Sequence, residues 1–201
     1  EGQSTMVLYD EKSYPVPVFG AHNLQNMAGA MNICMELGMS ANDFLSAMSS
    51  FKGASRRLQI LGQNDHSTVF YDFAHAPSKL KATVSAVKEH FPQRRLTACI
   101  ELHTFSSLNA TFLPQYQDTM MMADNPIVFY SPSVLAHKKM PQITPEQVAS
   151  AFNIPVTCVV TDADKLRQLL VQKHDESWNL LIMTSGNFGG IDIKKLVDTI
   201  L

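Results

Sequence analysis

Apolar positions in this chain alternate between two periods, short runs that suit strands and three-to-four-residue stripes that suit helices. Met6-Val7-Leu8-Tyr9, a charged turn at Asp10-Glu11-Lys12 and a second run limited to an edge by Pro15 and Pro17 predict a hairpin over residues 5–19. Gly20-Ala21-His22-Asn23 opens a helix whose apolar positions Leu24, Met27 or Ala28, Met31 and Met35 form a stripe, stopped at Gly38. Ser40, with Asp43 three residues on, caps a second helix that buries Phe44, Leu45 and Met48. Phe51-Lys52-Gly53-Ala54-Ser55 is small and polar enough to be a connection between domains.

Beyond that hinge strands and helices alternate, the pattern of a mostly parallel sheet covered on both faces. Thr68-Val69-Phe70-Tyr71 is a strand, and the following helix carries Pro77 in its first turn and Leu80, Val84, Val87 and Phe91 on one side. Further strands are expected at 96–100, 127–130, 156–160 and 180–183, and a Met-rich helix at 111–123. A loop is expected at 131–143, and helices starting at Thr144 and running over 162–173 and from about 192 to the end. The fold class is therefore α/β, with about five strands in a Rossmann-like domain over 54–201 and a hairpin plus two helices over 1–53.

Composition narrows the function classes. Hydrophobic content of 45% and charged content of 17% over 201 residues describe an ordinary globular chain. A net charge of −2 leaves no footprint for nucleic acid, and no apolar run is long enough to cross a bilayer. Cys34, Cys99 and Cys158 are widely spaced within apolar patterns, which reads as core residues in a reducing compartment and not as a metal site. The first residue is Glu1, not Met, so the chain is expected to be a fragment whose beginning lies upstream.

Candidate chemistry collects at strand ends. Asp72 and His75 follow the 68–71 strand beside a helix start, where open α/β sheets bind ligands. An isolated Asp there is more often a cap. Asn23 and Asn26, three apart on a first helical turn, are able to present both amides to one ligand, although Asn23 also suits a cap. Arg56 and Arg57 taken alone are solvated hinge charges. The 101–107 loop carries an acid, an imidazole and hydroxyls. Gly186-Asn187-Phe188-Gly189-Gly190 is glycine-rich but lacks the dinucleotide spacing, and no phosphate-cradling G-x-x-x-x-G-K-[ST] occurs.

Read in order, Gly20-Ala21-His22-Asn23-(x2)-Asn26, Phe51-Lys52-Gly53 with Arg56-Arg57, and Tyr71-Asp72-Phe73-Ala74-His75-x-Pro77 resemble the end of the central domain and the C-terminal domain of a Mur ligase. These are bacterial ATP-dependent enzymes that join amino acids or peptides to UDP-N-acetylmuramate. Phe51-Lys52-(x3)-Arg56-Arg57 and the terminal 183–191 motif look most like the murein peptide ligase branch, which attaches L-alanyl-γ-D-glutamyl-meso-diaminopimelate in cell-wall recycling. The L-alanine-adding branch shares the middle motifs.

The resemblance implies roles residue by residue. Asn23 and Asn26 match amides that contact adenine, Arg57 the hinge arginine that approaches the phosphates, and Asp72 the carboxylate on the ribose. His75 matches a histidine near the incoming amine, and Ser185, Gly186, Asn187 and Phe188 the loop that receives it. His103 stands where murein peptide ligases tend to carry Arg, and Ala76 where relatives often carry a second His. ATP and Mg2+ are the implied cofactors, with the phosphate loop, metal ligands and UDP-binding domain upstream. The implied location is cytoplasmic, the implied partners are UDP-N-acetylmuramate, the amine substrate and upstream domains, and the fragment alone is expected to be inactive. A folylpolyglutamate synthase relative fits the Arg-Arg hinge and Asp-Phe-Ala-His turn poorly, and a stand-alone α/β binding module is the reading from another class.

Overall fold

The computed structural model describes residues 5–171 and 177–201. Strands β1 (Thr5–Tyr9) and β2 (Lys12–Val16) pair antiparallel as a separate two-stranded sheet. Asp10 and Glu11 turn the chain with φ of 48° and 60°, the left-handed pair that suits the twist of a tight hairpin. Helices α1 (Ala21–Glu36) and α2 (Ala41–Met48) follow. Ser40 caps α2 as expected: its Oγ accepts the Asp43 N–H at 3.1 Å, and Phe44 and Leu45 are buried.

The stripe on α1 departs from expectation. No residue of this helix is buried, and Ile33 and Met35 are 65% and 42% exposed. Its principal neighbours are α2 and a helix beyond the hinge, too little apolar surface to cover sixteen residues.

After the hinge come β3 (Gln59–Gln63), β4 (Ser67–Asp72), α3 (Pro77–His90), β5 (Arg95–Glu101) and β6 (Asn125–Phe129). Then come α4 (Pro132–His137), α5 (Pro145–Phe152), β7 (Val159–Val160), α6 (Ala163–Leu170), β8 (Trp178–Met183) and α7 (Ile193–Ile200). The six strands lie in the order β3-β4-β8-β5-β6-β7; β3 is antiparallel to β4 and every other pairing is parallel. Because side chains alternate along a strand, this sheet feeds two cores. Phe70, Ala98, Ile100, Leu181 and Met183 face one, with Leu80, Val84 and Val87 of α3; Val69, Cys99, Leu180 and Ile182 face the other, with Leu166 of α6 and Leu196 of α7. Each of the three α3 side chains is fully buried, and burial of one such side chain stabilises by about 1.5–3 kcal/mol.

Several local expectations hold. Thr144 and Gln147 form a reciprocal capping box with Pro145 at the first helical position. The helices expected from 162 and from about 192 are α6 and α7; Asp162 and Asp192 prove to be their caps, and Leu196 and Val197 are the buried side of the last helix. The expected end of the 162–173 helix, at 172–173, lies outside the described residues, as does the start at Glu1.

Others are corrected. Residues 111–123 form no α-helix: a short 3-10 turn, Leu113–Tyr116, and successive tight turns take their place. The Asn109 side chain draws the Thr111 N–H away at 2.9 Å, Pro114 interrupts, and Asp118 adopts φ 57°. Met120 is buried there, but Met121 is 71% exposed. Strand 156–160 shrinks to Val159–Val160, since Val156–Cys158 coil into a 3-10 turn after Pro155. The loop at 131–143 contains α4, started by Pro132. Cys99 is buried, but Cys34 and Cys158 are only half-buried, and all three are free.

Candidate functional site

The parallel register brings the carboxyl ends of three strands to one edge. Asp72 of β4 and Ile100 of β5 both pair with Met183 of β8. The segments leaving them, 73–76, 101–107 and 184–190, therefore share that edge, the usual ligand face of an open α/β sheet.

Asp72 is 5% exposed. Its Oδ2 accepts the Leu58 N–H and its Oδ1 the Ala74 N–H, both at 2.7 Å. The Phe73 N–H adds a bond to the Arg56 carbonyl at 3.0 Å. These contacts fasten the hinge to the end of β4, in a segment where Arg56 and Leu58 adopt φ of 54° and 44°. The two arginines remain exposed. The Arg56 guanidinium lies 5.4 Å from the Tyr71 ring, and that of Arg57 lies 5.7 Å from the Phe73 ring while an Nη donates to the Arg56 carbonyl at 3.4 Å.

Beside this hinge lies a cavity of about 460 Å³, bounded by α1, α2, the residue-17–19 turn and the start of β3. That volume is in the range of a nucleotide-sized ligand. Asn23, Asn26, Lys52 and Arg57 supply polar groups to its wall, and Met27, Phe44 and Phe51 apolar ones. Three of the four residues expected around a nucleotide thus meet in one cavity. Asp72, the fourth, is not in the wall; it stands one residue behind, bonded to the wall residue Leu58. Gly20, not Asn23, occupies the cap position of α1, and the Asn23 amide instead donates to the Phe19 carbonyl at 3.1 Å.

His75 is half-buried on the loop after β4. Its Nδ1 bonds the Phe73 carbonyl at 2.9 Å, and its carbonyl accepts the Tyr116 hydroxyl at 2.5 Å. Burial pushes the Tyr116 phenol up to about 12, which keeps it a donor. The edge loop at 184–190 is organised by an acid. Glu101 is 2% exposed and accepts hydrogen bonds from the Thr184 hydroxyl, the Phe188 N–H (2.9 Å) and the Gly189 N–H (3.3 Å). His103 lies 3.7 Å from it. Ser185, Gly186, Asn187 and Phe188 sit on this loop, so the edge unites them with His103; Phe188 itself is buried against Phe129 and is not exposed to a ligand. Glu101 was legible only as an acid in a polar loop, because its partners lie more than eighty residues away. Among the described residues no three His, Cys, Asp or Glu gather as a metal site, and no helix is long and apolar enough to cross a membrane.

Comparison with known proteins places this architecture. Residues 56–187, well over half of the chain, match the family model described as Mur ligase, glutamate ligase domain. The chain belongs to that family. A UDP-N-acetylmuramate–L-alanine ligase of Sulfurihydrogenibium sp. (strain YO3AOP1) is 30% identical over 188 residues, covering 90% of this chain and 38% of the relative. Among solved structures, the UDP-N-acetylmuramate–alanine ligase of Thermotoga maritima superposes with a TM-score of 0.69 at 18% identity, over 94% of this chain and 39% of the other. A murein peptide ligase of Psychrobacter arcticus superposes with 0.61 at 23% identity, over 96% and 40%. These structures share the fold, a mostly parallel six-stranded α/β sheet. The chain spans about two fifths of the length of these three proteins.

Proposed function

We propose that this chain is the closing part of an ATP-dependent ligase that forms an amide bond on UDP-N-acetylmuramate in peptidoglycan metabolism in the cytoplasm. The observation that carries this reading is the convergence of Asn23, Asn26 and Arg57 on one cavity beside the hinge. Two amides are suited to the edge of a purine, and an exposed guanidinium to the charge that develops on a transferring phosphoryl group. In such a reaction the muramyl carboxylate is activated by phosphate and the amine then attacks the acyl carbon. Closure of this part over the site keeps water from the activated carboxyl.

Within the reading, residues 1–53 are the tail of the central ATP-binding domain and 54–201 the C-terminal domain. The separate two-stranded sheet, the uncovered α1 and the left-handed hinge residues Gly53, Arg56 and Leu58 support this division. Asn23 and Asn26 contact the adenine, Arg57 the phosphates, and Asp72 serves the ribose side by fixing the hinge. His75 and His103, with Ser185, Gly186, Asn187 and Phe188, form the amine side, with the Phe188 ring as support. The phosphate loop and Mg2+ ligands belong to preceding domains.

For the amine, the terminal 183–191 motif favours L-alanyl-γ-D-glutamyl-meso-diaminopimelate. The 30% identity to a UDP-N-acetylmuramate–L-alanine ligase favours free L-alanine. Assay of the intact protein with ATP, UDP-N-acetylmuramate and either amine decides. ADP release coupled to product with the tripeptide establishes the first, and product with L-alanine alone the second. Absence of both products removes the ligase reading. The 201-residue chain by itself is expected to give no turnover in the same assay.

A further inference from the structure

Glu101 lies outside the motifs that define the ligase reading, yet its buried carboxylate accepts three hydrogen bonds at the sheet edge. A buried carboxylate needs compensation, and this one receives it from a single loop: the Thr184 hydroxyl, the Phe188 N–H at 2.9 Å and the Gly189 N–H at 3.3 Å. Thr184 then accepts the Gly186 N–H at 2.8 Å, so the acid fixes the turn from 184 to 189. Space is tight: a Cβ on Gly186 would stand 2.5 Å from the His103 ring and 2.7 Å from Glu101 Oε2. Two further polar atoms in this cluster, His103 Nδ1 and Ser185 Oγ, are sealed from solvent and make no hydrogen bond. His103 Nδ1 faces Glu101 Oε1 at 3.7 Å, while the side chain as a whole is 30% exposed. With Nδ1 hidden, the exposed part of the ring is its outer edge.

We propose that Glu101 is the positioning residue of the amine site. It clamps the 184–189 loop and sets a negative charge behind His103, so that the outer edge of the imidazole is held for the carboxylate of the incoming amino acid or peptide. Both amine candidates carry such a carboxylate. The inference rests on the ligase reading.

Its test uses the intact protein with Glu101→Gln, Glu101→Ala, His103→Ala and the Glu101→Gln/His103→Ala pair, assayed with the amine that wild type accepts. Glu101→Gln keeps the shape and removes the charge. It is expected to raise KM for the amine about tenfold, with KM for ATP and UDP-N-acetylmuramate within about twofold of wild type. Because Glu101 acts through His103, the pair is expected to be no worse than His103→Ala. An unchanged amine KM, a parallel rise in all three KM values, or full additivity in the pair overturns the proposal. Amide hydrogen exchange separates it from failure of the ligase reading, since it needs no turnover. Phe188 and Gly189 are expected to exchange at least about tenfold faster in Glu101→Ala. If that variant does not fold, Glu101→Gln is expected to speed Gly189 alone, and unaltered exchange at both amides in the folded variant overturns the clamp.

Discussion

Both oxygens of Asp72 accept backbone N–H groups, one from Leu58 before β3 and one from Ala74 on the loop after β4. A hydrogen bond to a charged group contributes about 1.5–3 kcal/mol, and a lost acceptor also strands its donor. Asp72→Ala is therefore expected to lower the unfolding free energy by about 2–4 kcal/mol, read from the midpoint of urea unfolding, and Asp72→Asn by about half as much. Unchanged midpoints in both would show that the hinge is held by other contacts. Gly20 is constrained in another way. It sits at φ +82°, and a Cβ would meet that of Ala86 at 2.5 Å. Gly20→Ala combines strain with overlap and is expected to cost about 1–3 kcal/mol in the same measurement. A glycine before a helix was readable from the sequence as a start signal; that α3 passes within touching distance of it was not.

Among the elements, the parallel strands carry one feature that hydrophobic patterning hides. Arg94, just before β5, is 9% exposed and has no carboxylate among its hydrogen-bond partners in the described residues. Its guanidinium donates to the Thr68 hydroxyl of β4 and the Asn179 side chain of β8 at 3.0 and 3.1 Å, and to the Asp65 carbonyl at 3.2 Å. Planar, multi-donor geometry is what lets it tie two strands and a loop together. Arg94→Lys keeps charge but loses the fork, and a drop of about 2 kcal/mol or more in unfolding free energy is expected from the unsatisfied oxygens. Stability equal to wild type would mean that the strands need no such tie. The α1 helix is the opposite case. With none of its residues buried, its amides are expected to exchange far faster than those of β4, β5 and β8, by at least about a hundredfold. Comparable protection in α1 would mean that the helix is covered in solution.

At the scale of the whole molecule, stability should fall as pH drops below neutral. His22 and His90 are both held below their ordinary value of 6.5, in each case chiefly by burial. For His22 the Asp72 charge opposes this and Lys79 adds to it, while the His90 ring stacks on Phe19 at 4.0 Å. Burial alone would raise Asp124, but hydrogen bonds from Lys88 and the Leu96 N–H, with the charges of Lys88 and Arg95, bring it below its usual range. In all three cases the unfolded chain binds protons before the folded one does. The stability they contribute is complete above about pH 6.5 and is lost as pH falls through the depressed histidine values, then further as the carboxylate protonates. The thermal midpoint is expected to fall between about pH 7 and about pH 5, and His90→Gln to flatten that fall. A midpoint constant over this interval would contradict the assignment.

The sequence by itself determined the elements whose causes are local. The Ser40, Thr144, Asp162 and Asp192 caps, the hairpin turn and the α3 stripe follow from hydrogen bonds and periodicities contained within a few residues. It also put Asp72, His75 and the loops around 101–107 and 184–190 at strand ends and, through ordered motifs, pointed to the right family. The tertiary structure alone decided where β8 inserts, between β4 and β5, because parallel pairing joins segments more than eighty residues apart. From that insertion come Glu101 as the anchor of the 184–189 loop and the common edge it shares with His103. The same non-local packing turned Asp72 toward the hinge, left α1 uncovered and dissolved the expected Met-rich helix, whose apolar periodicity lost to Asn and Pro side effects on the backbone and to the demands of the neighbouring core.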